Sequence, residues 1–284
     1  MVEQLLVNGL LTGLVYALTA LGLALVFGVM RIFNLAHGAF YALGSFLTYS
    51  LVAGAGFNVW TALPVVMLFS FALGLLVEHT LVGPVRGHPL AVTVLTLGLA
   101  VLAEQVFQAV WGASFLSLPA AAKVLARAGF KWDVSRLAAG AAALFLTGLT
   151  AAGLRTRLGT LVRFTAQDPE GAQLAGINTG RVQMLVFGLS AALAAAAGNL
   201  TATWEVISPG MGRLPLVVSL AVVIVGGPGN IQATLGAGVV LGLVTTLAGY
   251  YLAPQWSYLA ALAAIVAALL IRPAGLGGSL GIRD

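Results

Sequence analysis

The sequence predicts an all-α polytopic membrane protein, and its composition and the spacing of its charges carry that prediction. Of its 284 residues, 60% are hydrophobic and only 7% are charged, whereas a soluble domain carries about 25% charged residues. The charged residues are also clustered, and the interval between Arg213 and Arg272 contains none. Because a membrane-spanning helix needs roughly 20 predominantly apolar residues, such intervals hold one, two or three helices.

Other classes of protein fit the sequence less well. A membrane β-barrel needs strands of about ten residues that alternate apolar and polar side chains, and runs such as LSAALAAAAGNL show no alternation. The net charge of +5 comes from residues that flank apolar spans rather than from one basic patch, so no nucleic-acid partner is expected. The chain has no cysteine and its three histidines are scattered, so neither a disulfide nor a metal site is expected.

The first four apolar segments are each bounded by recognisable breaks. The segment 5–29 has no basic N-terminal region and is too long for a signal peptide, so it is interpreted as a retained span. The second segment ends in AGAGFN. The third ends in EHTLVGPVRGHP, where glycine, proline and Arg86 are expected to break any helix, and where Glu78 and His79 are expected to meet headgroups or water. A polar excursion at 112–135 follows the fourth segment.

The second half of the chain holds five further segments. A loop at about 155–181 follows the fifth segment, EVISPGMGRLP closes the sixth, and breaks at GGPGN and Ala-Pro divide the last three. The segment 214–226 is short for a span, which leaves eight or nine crossings. The nine expected helices are 5–29, 36–54, 60–79, 90–111, 137–154, 182–203, 214–226, 230–252 and 256–271.

Small residues predict tight packing between these helices. Glycine and alanine are concentrated in several segments, and in lipid small residues let helix backbones approach closely. The stretches NLAHGAFYALGSFL and NIQATLGAGVVLGL are weakly similar, which suggests an internal repeat of the kind that transporter folds use.

The distribution of lysine and arginine predicts the orientation of the chain in the cell (inner) membrane, because cytoplasmic loops carry an excess of both. If the loop at 155–181 is cytoplasmic, the same side receives four further arginines, Arg31, Arg86, Arg272 and Arg283. The other side receives Arg213 and the basic residues of 112–136. The C-terminus is therefore expected in the cytoplasm and the N-terminus outside it.

The polar stretch DPEGAQLAG, residues 168–176, lies past the middle of an otherwise apolar chain. Asp168 is a good N-cap, Pro169 suits the first helical position, and Glu170 complements the positive end of a helix. Gly176 can adopt the left-handed conformation that ends a helix. The stretch therefore predicts a two-turn helix outside the bilayer.

This short helix is predicted to be a docking element. A handful of residues suffices to connect two spans, so a capped helix within a loop of this length suggests a further role. Its exposed face is expected to offer Ala172 and Ala175 as small contacts beside Glu170.

Three separated stretches also carry a resemblance to a known family. Glu170-Gly171-Ala172, followed after three residues by Gly176, is similar to the E-A-A-three-residues-G coupling motif of ABC-importer permeases, with Gly171 in place of the first alanine. The stretches RFTAQDPEGAQLAGIN, GVMRIFNLAHGAFYALGSFL and VVIVGGPGNIQATLGAGVVLGL resemble the permeases of branched-chain (hydrophobic) amino acid ABC importers. The resemblance covers essentially the whole chain, although the segment 204–213 is short for contact with an external partner.

The resemblance implies one transmembrane permease domain over residues 1–284, with a coupling loop at about 155–181. In the family, the coupling helix inserts into a groove of a cytoplasmic ATPase. The residues implied to couple the two proteins are Asp168, Pro169, Glu170, Ala172 and Gly176. ATP would be bound by that partner, because this sequence contains no GxxxxGK[ST] motif and no cofactor is expected in it.

The resemblance implies further partners. They are a second permease subunit, expected to form a heterodimer with this one, an extracytoplasmic solute-binding protein, and membrane lipid. The function it implies is translocation of branched-chain or other hydrophobic amino acids, and a charge-poor pathway would suit their side chains. Another small polar solute, such as urea or a short amide, or a nucleotide-independent channel or facilitator, remains an alternative. No enzyme is expected and no catalytic residue is assigned, since the acids and histidines do not converge.

Polar and irregular positions within the apolar segments are candidates for the translocation pathway. Asn34, His37 and Gly38 predict either a broken helix whose end faces the pathway or an interfacial helix start capped by Asn34. Glu104 lies inside a span, where a carboxylate is costly unless it faces a cavity or a partner; the alternative is a hydrogen bond to a neighbouring helix. The GGPGN stretch contributes the last candidates, as a gate or as a tight turn: Gly226, Gly227, Gly229 and Asn230.

Overall fold

The structure, a computed structural model, describes residues 2–118, 124–127, 130–227 and 231–271. Within these ranges the regular secondary structure is helical apart from one short hairpin, formed by strands β1 Val124–Arg127 and β2 Phe130–Asp133, which pair antiparallel. The helices are α1 Val2–Met30, α2 His37–Tyr49, α3 Val59–Val77, α4 Gly83–Val85, α5 Pro89–Trp111, α6 Val134–Gly153, α7 Arg157–Gln167, α8 Pro169–Leu174, α9 Thr179–Thr201, α10 Arg213–Gly226, α11 Ile231–Tyr251 and α12 Trp256–Ile271. Two π-helical segments, Ser50–Gly54 and Glu78–Val82, extend α2 and α3.

The predicted all-α polytopic fold is confirmed. Among the described residues, six helices are long and apolar enough to cross a membrane: α1, α3 with its continuation to Val85, α5, α6, α9 and α11. The apolar helices α2, α10 and α12 are shorter, at 13, 14 and 16 residues. The eight or nine predicted crossings include these shorter helices, so the number of crossings and the internal repeat stay predictions.

The helix that follows α3 does not break where the sequence suggested. The π-helical segment Glu78–Val82 continues α3 and leads directly into α4, so the chain stays helical through Val85. Pro84 lies within this continuous helical stretch, where it has no N–H to donate to the preceding turn. The expected break within 78–89 is therefore wrong for the part before Arg86.

Two elements went unpredicted. The polar excursion contains the β1–β2 hairpin, and backbone hydrogen bonds join Leu116 to Ile207 in the loop after α9. The loop at 155–181 contains a second helix, α7, whose N-cap Thr156 accepts a hydrogen bond from the backbone N–H of Gly159 at 3.4 Å. Helix α7 has a half-buried face that includes Gly159 and Thr165, although arginines are frequent in this loop.

Helix α1 occupies the centre of the bundle and packs closely against α11. Each helix presents two glycines four residues apart, Gly9 and Gly13 on α1 and Gly238 and Gly242 on α11. A Cβ added at Gly13 would lie 2.6 Å from the Cα of Val239. The two backbones are therefore in direct contact, as the concentration of small residues predicted.

The start of α1 lies at the end of the bundle opposite the 155–181 loop. Leu11 of α1 packs where a side chain on Gly140 would be, near the beginning of α6, and α6 runs from there into the loop. Arg136 and Trp204 also meet at this end, with the guanidinium carbon 5.3 Å from the ring centroid. The N-terminus and the loop therefore lie at opposite ends of the bundle, and which end faces the cytoplasm stays a prediction.

Candidate coupling and pathway sites

Helix α8 begins and ends at the predicted residues. The Oδ1 atom of Asp168 accepts a hydrogen bond of 2.9 Å from the N–H of Gly171, and Pro169 lies in the first turn. Gly176 has a φ of +79°. Its N–H donates to the carbonyl of Gln173, and the next N–H, of Ile177, donates to the carbonyl of Ala172, both at 2.9 Å. These two bonds form the Schellman motif that ends helices at a left-handed residue.

The orientation of α8 differs from the expectation in one respect. Ala172 is fully buried, because α8 packs against α7 and α9, so the expectation that this alanine lies on the exposed face is wrong. The outer face instead carries Glu170, Leu174 and Ala175, and Leu174 is 91% exposed. Sequence reasoning missed Leu174, although a leucine within a short polar helix was a usable signal.

The glycine that replaces the first alanine of the motif has a local explanation. A Cβ added at Gly171 would collide with the carboxylate of Asp168. The glycine therefore leaves room for the side chain that caps the same helix. Glycine destabilises a helix by about 0.5–1 kcal/mol relative to alanine. The Asp168 cap offsets this loss, since replacing an N-cap aspartate with alanine typically costs about 1 kcal/mol.

The connection between α1 and α2 is a buried break in the helical structure. Residues 31–36 are not helical, and Ile32, Asn34 and Ala36 within them are buried. Asn34 Oδ1 accepts a hydrogen bond from Ala36 N at 3.1 Å, and Thr96 Oγ1 of α5 accepts one from Leu35 N at 3.2 Å. Side chains thus pair two of the backbone N–H groups that the break leaves free, as irregular backbone at membrane depth requires.

His37 and Gly38 begin α2 in the interior of the subunit. His37 Nε2 lies 2.8 Å from the carbonyl oxygen of Thr19, and Nδ1 lies 3.2 Å from Ser190 Oγ. Since a carbonyl can only accept, Nε2 carries a proton and donates to Thr19, and Nδ1 forms the second hydrogen bond, with the serine hydroxyl. Gly38 packs directly on Gly212, just before α10. These contacts hold α2 against α1, α9 and α10, and a role for these residues in the pathway stays a prediction.

Glu104 forms a two-point ion pair with Arg213. The distances are 2.9 Å from Arg213 Nε to Oε1 and 2.6 Å from Arg213 Nη2 to Oε2. The pair joins α5 to the first residue of α10, and its side chains are 22% and 74% exposed. The hydrogen bond to a neighbouring helix is therefore present, and a role for Glu104 in the pathway stays a prediction.

Helix α10 ends at Gly226, and Gly227 is its C-cap residue. Gly227 has a φ of +80°, and its N–H donates to the carbonyl of Val223 at 3.0 Å. A Cβ added at Gly226 would lie 3.0 Å from the backbone nitrogen of Thr234 in α11. Gly229 and Asn230 lie outside the described residues.

Glu78 is buried rather than exposed to headgroups or water. Its side chain is 1% exposed and forms an ion pair with Arg86, so the expectation for Glu78 is wrong, whereas His79 is exposed as expected. The π-helical continuation of α3 keeps Arg86 close enough to neutralise the carboxylate.

These features define the class of the protein: a multi-pass α-helical membrane protein with a rigid, capped helix outside its apolar spans. Residues 5–269 match the family described as branched-chain amino acid transport system / permease component, and the chain belongs to that family. It is accordingly a permease subunit of an ABC importer, a system in which the membrane subunit works with partner subunits.

Three similar proteins illustrate this membership. The chain is 27% identical to the high-affinity branched-chain amino acid transport system permease protein LivH of Escherichia coli (strain K12), over 97% of this chain and 95% of LivH. It is 28% identical to the corresponding protein BraD of Pseudomonas aeruginosa, over 97% and 95% of the two chains. A chain of PsaBC from Streptococcus pneumoniae, solved in complex with a Fab, has a TM-score of 0.47 and 16% identity over 94% of this chain and 91% of its own.

Proposed function

We propose that this permease translocates branched-chain or other hydrophobic amino acids, and that transport is driven by a separate cytoplasmic ATPase that binds α8. The family membership and the printed names of LivH and BraD support the substrate class. The observation that carries the coupling role is the construction of α8, which is capped at both ends and anchored by buried Ala172. The loop at 155–181 then lies in the cytoplasm and the N-terminus outside it.

Helix α8 has the physical properties of a docking element. Its cap and its Schellman motif fix it as one rigid piece, so a force applied to it reaches α7 and α9 directly. Leu174 is 91% exposed, and full burial of such a side chain in a partner's groove would contribute about 1.5–3 kcal/mol. Glu170 on the same outer face supplies a charge that a basic partner residue can pair.

Glu170→Lys is expected to abolish association with the ATPase and ATP-dependent uptake while the protein still inserts into the membrane. The substitution reverses an exposed charge in the first turn of α8, where a cation also opposes the helix dipole. Co-purification of the co-expressed ATPase and leucine uptake in proteoliposomes measure the two effects. Glu3→Lys is the matched control. Glu3 is likewise an exposed glutamate in the first turn of a helix, but that helix is α1, whose start lies at the end of the bundle opposite α8.

Wild-type co-purification and uptake by the Glu170→Lys variant would overturn the coupling role of α8. Leucine flux through the permease alone, without nucleotide, would instead identify a facilitator. Competition by urea or short amides, with no competition by isoleucine or valine, would overturn the substrate class.

The pathway proposal assigns the charged head group of the amino acid to the Glu104–Arg213 pair. The pair offers one carboxylate and one guanidinium, which match the ammonium and the carboxylate of a zwitterion. Arg213 is 74% exposed, so its guanidinium is accessible on the bundle surface, where a second permease subunit would close the pathway.

Glu104→Gln is expected to lower uptake about tenfold, because a hydrogen bond to a charged group contributes about 1.5–3 kcal/mol and the exposure of the pair reduces that value. Association with the ATPase should be unchanged. Gln105→Ala, which truncates the adjacent exposed side chain, is the control and should transport normally. If Glu104→Gln transports at the wild-type rate, Glu104 only joins α5 to α10.

A further inference from the structure

A cavity of about 650 Å³ opens at the end of the bundle that carries the 155–181 loop. The π-helical segment after α3, together with α4, forms one wall, and the start of α9 forms the other. The lining side chains and backbone that matter here are those of Glu78, His79, Arg86, Asn178, Gly180 and Arg181. The cavity thus lies between membrane-spanning helices, directly beside the segment that links α8 to α9.

The charges in this cavity sum to an excess of positive charge. Glu78 and Arg86 neutralise each other, and the Nε atom of Arg86 is buried with no hydrogen-bond partner among the described residues. Arg181 is exposed and its guanidinium forms no ion pair with any residue that the structure describes. The guanidinium of Arg181 is therefore the uncompensated charge at the cavity, and an anion that entered the cavity would balance it.

The start of α9 adds to the preference for an anion. Asn178 caps this 23-residue helix by accepting a hydrogen bond of 3.0 Å from the N–H of Arg181. The positive end of the helix dipole therefore points to the cavity. A Cβ added at Gly180 would lie 3.2 Å from Arg86 Nη1, so the absence of a side chain at this position keeps the cavity open.

The surroundings of the cavity are apolar. Leu76 and Leu81, on the helix that forms its wall, are 57% and 40% exposed. Farther along α3, Leu68 and Phe69 are 70% and 52% exposed, so an apolar surface extends from the cavity along the helix. A ligand with a phosphate at one end and hydrocarbon chains at the other matches this arrangement, whereas a free anion would use only the charged part.

We propose that this cavity binds the headgroup phosphate of an anionic phospholipid, with the acyl chains along α3. An arginine guanidinium can donate two parallel hydrogen bonds to phosphate oxygens. Basic pockets between membrane helices on the cytoplasmic side bind anionic headgroups. The bound lipid would contact Asn178, in the segment between α8 and α9, and Arg181, in the first turn of α9. Lipid would thereby stabilise the base of the α8 segment from the membrane side. The proposal requires neither the ATPase nor the transported solute.

The test uses the full chain in nanodiscs that contain equal amounts of phosphatidylglycerol and phosphatidylcholine, followed by native mass spectrometry of the released protein. Wild-type protein should retain phosphatidylglycerol preferentially. Arg181→Gln, which removes the guanidinium, and Gly180→Leu, which fills the cavity, should each reduce that preference about tenfold. Arg155→Gln is the matched control, because Arg155 is exposed in the same loop but does not line the cavity.

The other outcomes would contradict the proposal. Unchanged preference in both variants, each confirmed as folded by size-exclusion chromatography, would show that lipid does not bind in this cavity. Displacement of phosphatidylglycerol by millimolar inorganic phosphate alone would identify a site for a free ion. Loss of ATPase co-purification in Arg181→Gln, with lipid preference intact, would assign the cavity to a protein partner.

Discussion

Replacing Gly13 with leucine is expected to prevent α1 from packing against α11 and to leave little folded protein after extraction from the membrane. A Cβ at this position would lie 2.6 Å from the Cα of Val239 and 2.9 Å from the carbonyl oxygen of Gly238. Both are backbone atoms, so no side-chain rotation relieves the overlap. Overpacking of a core costs about 1–3 kcal/mol where side chains can adjust, and a larger cost is expected where two backbones must separate.

The control for this prediction lies on the same helix. Gly28 is also in α1, and a Cβ added there would meet no other atom within 4 Å. Gly28→Leu should therefore yield wild-type amounts of monodisperse protein, with an unchanged midpoint of thermal unfolding in detergent. Equal loss from both variants would show that leucine harms α1 wherever it stands, and that the contact with α11 is not the cause.

Local rules predicted much of this fold from sequence. The charge-free intervals placed the nine apolar helices, and the observed ends, such as Trp111 and Ile271, lie close to the predicted ones. The start and stop of α8 were also predicted, because capping by Asp168 and a left-handed Gly176 depend on neighbours within a few residues. Interactions of short range can be inferred from a single sequence.

Contacts between distant residues were not predictable in the same way. Which face of α8 is buried depends on α7 and α9, so Ala172 was assigned to the wrong side. The hydroxyl of Thr96, which pairs with backbone 61 residues away, carried no signal in its own neighbourhood. The partner of Glu104 was likewise hidden, since Arg213 lies 109 residues farther along the chain.

The π-helical segments illustrate a third case. Glycine and proline near Arg86 predicted the end of a helix, but the wider turn of Glu78–Val82 absorbed the irregularity and carried the chain on to Val85. This continuation brings Arg86 to Glu78, so the helix end and the buried charge depend on each other. The exposure of Glu78 was therefore predicted wrongly because its partner, Arg86, lies eight residues later in the chain and reaches it only through this continuation.

The prediction with the largest expected effect on transport concerns the residue that ends α8. Gly176→Val should abolish ATP-dependent uptake and ATPase co-purification, whereas Gly176→Asn should retain most of both. Position 176 has a φ of +79°, and a Cβ added there would meet no other atom within 4 Å. The effect of valine would therefore come from the backbone, because a β-branched residue is strongly disfavoured in the left-handed region, while asparagine tolerates it.

Loss of the left-handed conformation would remove the two hydrogen bonds that close α8, those donated by Gly176 and Ile177. The strain amounts to about 1–2 kcal/mol for one residue, which a six-residue helix cannot absorb without changing its end. Membrane insertion and the thermal unfolding midpoint of the spans should stay at wild-type values, because α8 lies outside them. If asparagine and valine impair uptake equally, the partner needs a side chain no larger than that of glycine, and the geometry of the helix end is not the determinant. If neither impairs it, the ATPase does not dock on α8.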